Sequence, residues 1–410
     1  MASQQRGSPA SAADLLHAHD AGREPERLAI KYAKMRASAF AFLRGTAHLF
    51  HRRMTDAGIA PVGPPAWSSG DLHLENYGTY LGDNGLVYFD VNDFDEALLA
   101  PAPWDILRLA TSLLIAPPTL TLKRADTAAL AKQMLEAYRA TLLSGKARWV
   151  ERRIAGGLIG DLMRGLRRRD PVAFLDDRTK LVNGARILKM DGKRALPVTP
   201  KEQQELRQWL PAQANGAGET AAFQLIDAAR RVAGVASLGT PRYVLLAAGS
   251  GAPNGNRLLE LKSANPSSTI AFSPCPQPAW SSDAERVAKL QMRCQAVPPG
   301  LLRPVMFKRA PFILRELQPS EDRLDLAAAA RQLADLGDAL ETMAALSAWA
   351  QLRSSGRQGA APADDLMALA ADKSISARLM TAAKTMEEAV LADWREYCTA
   401  YDAGRFKPPA

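Results

Sequence analysis

The segment from Gly70 to Ala97 constrains this chain more than any other. It reads Gly-Asp-Leu-His-Leu-Glu-Asn-Tyr-Gly, turns at Gly82-Asp83-Asn84-Gly85, and resumes as Leu-Val-Tyr-Phe-Asp-Val-Asn-Asp-Phe-Asp-Glu-Ala. Asp71, Glu75, Asp90, Asp93, Asp95 and Glu96 crowd there beside a short apolar strand, in a chain whose net charge is +9. Carboxylates so close together need a cation or a proton to stabilise them.

The remaining residues narrow the chemistry. All five histidines (His17, His19, His48, His51 and His73) lie in the first fifth of the chain, so a histidine site could be built only there. Cys275, Cys294 and Cys398 lack the paired spacing of a structural zinc site and read as ordinary thiols of a reducing compartment. The first thirty residues lack the apolar core of a signal peptide, and no apolar run approaches membrane-spanning length. A cytoplasmic protein with no membrane partner is the expectation. The basic residues are mostly dispersed, except at Arg164-Gly-Leu-Arg-Arg-Arg169. That run has no interleaved aromatics, so it reads as a solvated face or phosphate-attracting rim, and nucleic acid is not an expected partner.

At 410 residues the chain exceeds one ordinary core. Residues 1–24 are poor in large apolar side chains and read as a disordered tail. Residues 25–215 read as a helical body carrying the acidic site. Within it, two helical segments between Leu28 and Met54 are joined by Ser38 to Gly45, and helices follow over Trp104–Ile115, Thr121–Leu143, Arg148–Arg168 and Pro200–Leu210. A hairpin is expected around Met190-Asp-Gly-Lys193, and a loop or boundary at Asn215 to Gly218. Residues 216–320 read as mostly β, with a helix over Phe223–Arg231 and strands over 241–249 and 257–263. A helix from Ser282 to Cys294 and two short strands turning at Ala310-Pro311 complete that unit. Residues 321–410 are helical and Ala-rich. The fold class is α+β and helix-rich.

Asp71 and Asn76 stand five apart. At that spacing a tight loop can point one carboxylate at a hydroxyl while the amide oxygen behind it holds a metal, as in kinase catalytic loops. The strand Leu86–Phe89 then runs into Asp90 and, three residues later, Asp93, either of which could hold a second metal bond. A calcium loop is excluded, because Phe94 stands where an oxygen ligand is needed and the required glycine is missing. Gly234-Val-Ala-Ser-Leu-Gly239 has the character of a phosphate-covering turn. Lys262, centred in an apolar strand, is costly to bury unless paired, and a nucleotide phosphate together with Glu285 on the next helix would pair it; the alternative is a lysine on a solvated edge strand. Arg44 is a helix-surface charge or a phosphate contact. His73 is expected to hold the loop rather than ligate a metal, and Asp105 to sit over the first-turn amides of its helix.

Gly70 to Gly78 and Asn92 to Glu96 resemble the Gly-Asp-x-His-x-x-Asn-Phe-Gly and Asn-Asp-Phe-Asp-Glu signatures of the bacterial family known as domain of unknown function 2252. Phe40 to Gly45, Trp104 to Ala110, Gly234 to Thr240 and Leu259 to Lys262 resemble its pattern too. That family is similar to the aminoglycoside phosphotransferases and the protein-kinase-like fold. The resemblance implies a two-lobed kinase-like architecture with Asp71 as catalytic base, Asn76 and Asp93 (with Asp90 as competitor) as metal ligands, and ATP and Mg2+ as cofactors. In kinases the glycine loop and lysine precede the catalytic loop, whereas here they follow it by more than 150 residues. Either the order is circularly permuted or the second half imitates a nucleotide lobe. The chain also departs from the family in having no histidine between Ala345 and Leu352. The expected activity is phosphoryl transfer from ATP to a small hydroxyl or amine acceptor, with nucleotidyl transfer open to the same groups. The alternatives are a nucleotide-binding regulatory module without turnover and a magnesium-dependent hydrolase.

Overall fold

The computed structural model of the chain describes residues 11–115, 120–214, 223–318 and 322–407. Helices α1 (Ala12–His19), α2 (Pro25–Ala37), α3 (Ala39–Gly45) and α4 (Ala47–Asp56) open it. Strands β1 (Pro65–Ser68), β2 (Tyr77–Leu81), β3 (Val87–Val91) and β4 (Leu98–Pro101) follow, then α5 (Pro103–Leu114), α6 (Arg124–Leu143), α7 (Gly157–Arg168) and α8 (Pro171–Arg178). Next come β5 (Thr179–Val182), β6 (Ala185–Leu188), β7 (Ala195–Pro197), α9 (Pro200–Trp209), β8 (Leu225–Arg231), β9 (Arg242–Ala247) and β10 (Arg257–Ser263). After α10 (Asp283–Cys294), β11 (Arg303–Phe307) and β12 (Ala310–Glu316), the chain closes with α11 (Leu326–Ala329), α12 (Leu333–Ser354), α13 (Ala363–Ala371) and α14 (Ile375–Asp402).

The architecture mixes helices and sheet. One apolar core runs from Leu16 of α1 through α5, α6 and α12 to Phe406 after α14, so the helical start and end of the chain pack together. Helix α5 lies at its centre, with every residue from Pro103 to Leu113 buried. A helix apolar on nearly all sides must be enclosed, and its two charged side chains, Asp105 and Arg108, therefore need partners inside. Both find them at the site described below.

Among the described residues the largest sheet has six antiparallel strands in the order β11-β12-β10-β9-β8-β7. Alternation along β10 divides its faces. Leu259 and Leu261 join Leu245 and Leu314 in a second core with Leu206 of α9, whereas Glu260 and Lys262 turn to the opposite face, where Arg242 pairs with Lys262 across β9 and Arg315 with Glu260 across β12.

Several elements depart from the sequence reading. The expected disordered tail contains α1, capped by Ser11 and burying Ala12, Ala13 and Leu16; the burial comes from distant elements that local composition does not reveal. The joint at Ser38 to Gly45 is itself a helix, α3. Phe223–Arg231 reads as a helix in the sequence, yet Leu225–Arg231 is strand β8, because pairing to β9 outweighs local preference. The helix expected from Arg148 begins only at Gly157, whose φ of +53° follows a second glycine. The hairpin lies at β5–β6, where Asn183 and Gly184 both take positive φ, as a tight two-residue turn requires. The Asp191-Gly192 turn instead feeds β7 onto β8. The β11–β12 turn falls at Lys308-Arg309, also at positive φ, rather than at Ala310-Pro311. The loop expected at Asn215 to Gly218 lies outside the described residues.

Candidate active site

Asp71 is presented by a turn that few sequences could form. Gly70 has φ +78°, and a Cβ there would stand 2.1 Å from the Glu96 carbonyl oxygen, so only glycine lets the two halves of the acidic segment approach this closely. The Ser69 and Gly70 amides donate to the Asp105 carboxylate at 2.6 and 3.0 Å. The His51 Nε2–H donates to the Gly70 carbonyl at 2.8 Å. Asp105 thus fixes this turn rather than its own helix start, which corrects the sequence expectation. Burial pushes its carboxyl up to about 6 despite those amides.

One helical turn beyond Asp105 along α5, Arg108 donates through Nε to Asp71 at 3.0 Å, and its Nη2 reaches both Asp71 and the Leu43 carbonyl. Burial raises the Asp71 carboxyl to about 7, with Arg108 pulling the other way. A carboxylate poised near neutrality suits proton abstraction. His73 Nδ1 accepts from the Glu75 amide at 3.2 Å, and Asn76 Oδ1 accepts from the His73 amide at 2.8 Å. His73 therefore holds the loop, as expected.

The two halves of the segment are joined by the pairing of β2 with β3 and by the Asn92 amide donating to the Asn76 carbonyl at 2.8 Å. Asp93 follows directly and opens to the cleft. Lys262 lies 3.4 Å from Asp93 Oδ1 and closer still to Asp95. Burial would raise the Asp93 carboxyl, but Lys262, Arg315 and Arg242 hold it below the ordinary value. Burial and then its neighbour Asp93 raise Asp95. Glu96 accepts from the Ser268 amide at 2.6 Å. Arg286 of α10 clamps this loop, donating to the Ala97, Asp95 and Asn265 carbonyls at 2.7, 3.0 and 2.8 Å.

Asp71, Asn76, Asp93, Arg44, Gly234 and Gly239 all line one cleft of about 390 Å³. Gly234 and Gly239 take φ of +76° and +90°, the conformations for which the turn needs glycine. Arg44 bonds Glu75 at 2.7 Å and lies over the Phe40 ring.

A model of the family described as uncharacterized proteins conserved in bacteria, domain of unknown function 2252, matches residues 23–400. The chain belongs to this family. No curated protein and no solved structure matches it.

Two residues of this family member stand elsewhere than the sequence suggested. Asp90 is buried on β3, accepting from the Val91 amide at 2.8 Å and the Ala296 amide at 3.4 Å, and it does not line the cleft. Its place on the strand turns it into the body, whereas Asp93 lies past the strand's end. Glu285 does not reach Lys262; it bonds the Ser281 amide at 2.7 Å and Lys289 at 2.5 Å on the surface of α10. Asp95 takes the position expected of Glu285. Sequence reasoning assigned no role to Arg108, Arg286 or Arg323, although an arginine inside the apolar α5 pattern was a usable signal for the first. Among the described residues no helix is long and apolar enough to cross a membrane.

Proposed function

We propose that the chain is a metal-dependent phosphotransferase of kinase-like design, moving a phosphoryl group from ATP to a hydroxyl or amine of a small acceptor. The observation that carries this reading is convergence. Asp71, Asn76 and Asp93 meet the Gly234–Gly239 turn at one cleft, and Lys262 reaches Asp93 from a strand more than 150 residues downstream. That is the arrangement a permuted kinase order needs. Asp71 orients the acceptor and takes its proton, helped by a carboxyl raised to about 7. Arg108 fixes the Asp71 side chain. The glycine turn lines the cleft where the phosphates would lie, and Lys262 would reach them on release from Asp93 and Asp95.

Magnesium takes one or two carboxylates with phosphate oxygens and waters rather than a protein cage. Asp93 and the second lone pair of Asn76 Oδ1 are oxygen donors of that kind. Phosphate oxygens and waters would complete the set. When bound, the ion supplies neutralisation of the charge on the transferred group.

Nucleotide binding without turnover is the second reading, favoured by Lys262 being closed on Asp93 and Asp95. Melting temperature with ATP and magnesium, followed by a transfer or hydrolysis assay of wild type and Asp71→Asn, separates the two. Stabilisation with turnover lost in D71N supports the phosphotransferase, and stabilisation without turnover supports the binding module. A protein indifferent to ATP overturns both.

A further inference from the structure

Beside the acidic cleft lies a second chamber, of about 520 Å³, that shares Arg44, Asp93, Gly234 and Arg323 with it. Its charge is opposite. Eight of its lining side chains are Lys or Arg against two carboxylates, Glu75 and Asp93. Three of the arginines are held rigidly from below by one carboxylate. Glu260, fully buried on β10, accepts from Arg242 Nε at 2.5 Å, from Arg315 Nε at 3.0 Å and from Arg231. One carboxylate cannot neutralise three guanidinium groups, so this wall carries surplus positive charge in a poorly solvated place.

Independent signs show that the chamber is incomplete by itself. The Arg44 Nε, Gln318 Nε2 and Asn92 Oδ1 atoms along its wall are buried without a hydrogen-bond partner. A buried polar atom left unpaired is costly, and donors such as Arg44 Nε and Gln318 Nε2 would be satisfied by an anionic oxygen. Burial and then the neighbouring Arg44 lower the Lys34 ammonium and the Arg323 guanidinium below their ordinary values; a bound anion would relieve that repulsion.

We propose that this chamber is an anion subsite for the phosphate groups of a polyphosphate or phosphorylated ligand, held by Arg44, Arg323 and Lys34 in front of the arginine wall on Glu260. Forked guanidinium groups match phosphate oxygens in pairs. The chain of phosphates can belong to the nucleotide or to an acceptor that is itself phosphorylated. The site stands whether or not the acidic cleft transfers phosphate, because its probes carry no nucleoside.

Calorimetric titration of the whole protein with inorganic tripolyphosphate and with orthophosphate tests it. Saturable tripolyphosphate binding that weakens with salt is expected, with at least a tenfold loss in the double variant Lys34→Gln, Arg323→Gln, neither of which touches Glu260. Should that variant fail to fold, protection of Arg44 and Arg323 in the wild type from phenylglyoxal by tripolyphosphate gives the same answer. Displacement of tripolyphosphate by ATP supports the subsite and assigns it to the nucleotide; simultaneous binding supports it and assigns it to the acceptor. No saturable binding, unchanged affinity in the folded double variant, or no protection overturns the proposal.

Discussion

Asp71 lies between opposing influences: burial pushes its carboxyl up, and the Arg108 guanidinium pulls it down, leaving it at about 7. As a general base it must be ionised, so kcat/KM for ATP turnover should rise with pH and level off above about 7. In Asp71→Asn turnover should fall by about 100- to 10,000-fold with ATP binding retained; a flat profile between pH 5.5 and 8.5 would deny Asp71 that role. Asp90 offers a contrasting case, raised to about 6 by burial with no ligand to serve. A carboxyl raised on folding stabilises the protein fully below its unfolded value near 3.8, and that contribution is lost as pH rises through about 6. Asp90→Asn removes the ionisation cost. Relative to wild type it should gain stability from pH 4 to pH 7, by up to roughly 3 kcal/mol, measured by urea denaturation across that window. An equal difference at both ends would show that Asp90 titrates normally.

At the scale of elements, what the sequence could reveal was what depends on near neighbours. The strand Val87–Val91, the helix Asp283–Cys294 with its Ser282 cap, and the paired strands β9 and β10 follow from periodicity and caps within each segment. So does the crowding of Asp71, Asn76 and Asp93. The partner of Lys262 was not legible, because Asp95 reaches it across a separation of 167 residues and no local pattern distinguishes it from Glu285. The same holds for Leu225–Arg231, whose strand state depends on β9, and for Arg286, which besides its neighbour Asp283 bonds to carbonyl groups of the distant acidic loop and of Asn265. Glu260 shows how an element-level network arises from strand alternation: positions two apart on β10 share a face, the cross-strand neighbours on β9 and β12 supply Arg242 and Arg315, and the end of β8 supplies Arg231. Removing the one anion leaves three buried cations uncompensated. Glu260→Gln should therefore cost about 3 to 5 kcal/mol, visible as a lower urea midpoint. A loss below about 1 kcal/mol would mean that the arginines are solvated and the network is a surface one.

At the scale of the molecule, the N-terminal segment fastens the helical body to the sheet across the cleft. Helix α1 packs against α14 and α4, and Asp14 bonds Arg405 just past α14. A few residues on, Arg23 donates to the Ala236 carbonyl at 2.6 Å, and the Glu24 amide donates to Gly239 at 2.9 Å. The glycine turn that faces Asp71 is thus positioned partly by residues more than 200 positions earlier in the sequence. Between these anchors, Asp20 accepts twice from Lys31 at 2.7 and 2.8 Å, both side chains being almost fully enclosed. Burial lowers the Lys31 ammonium to about 8, with Asp20 opposing, and Asp20, the carboxylate in contact with that enclosed charge, also pairs with Arg23 at 3.2 Å. Asp20→Asn should destabilise the protein by about 3 kcal/mol or more near pH 7. The deficit should shrink toward pH 10, where folded Lys31 is neutral in both proteins. Because the strap also sets the glycine turn, D20N should weaken ATP binding several-fold at pH 7, more than its loss of global stability explains, while leaving the Asp71 pH profile in place. Thermal melts at pH 7 and 10, with and without ATP, measure both effects. A deficit equal at the two pH values, with ATP affinity unchanged, would mean that the segment covers the cleft without holding it.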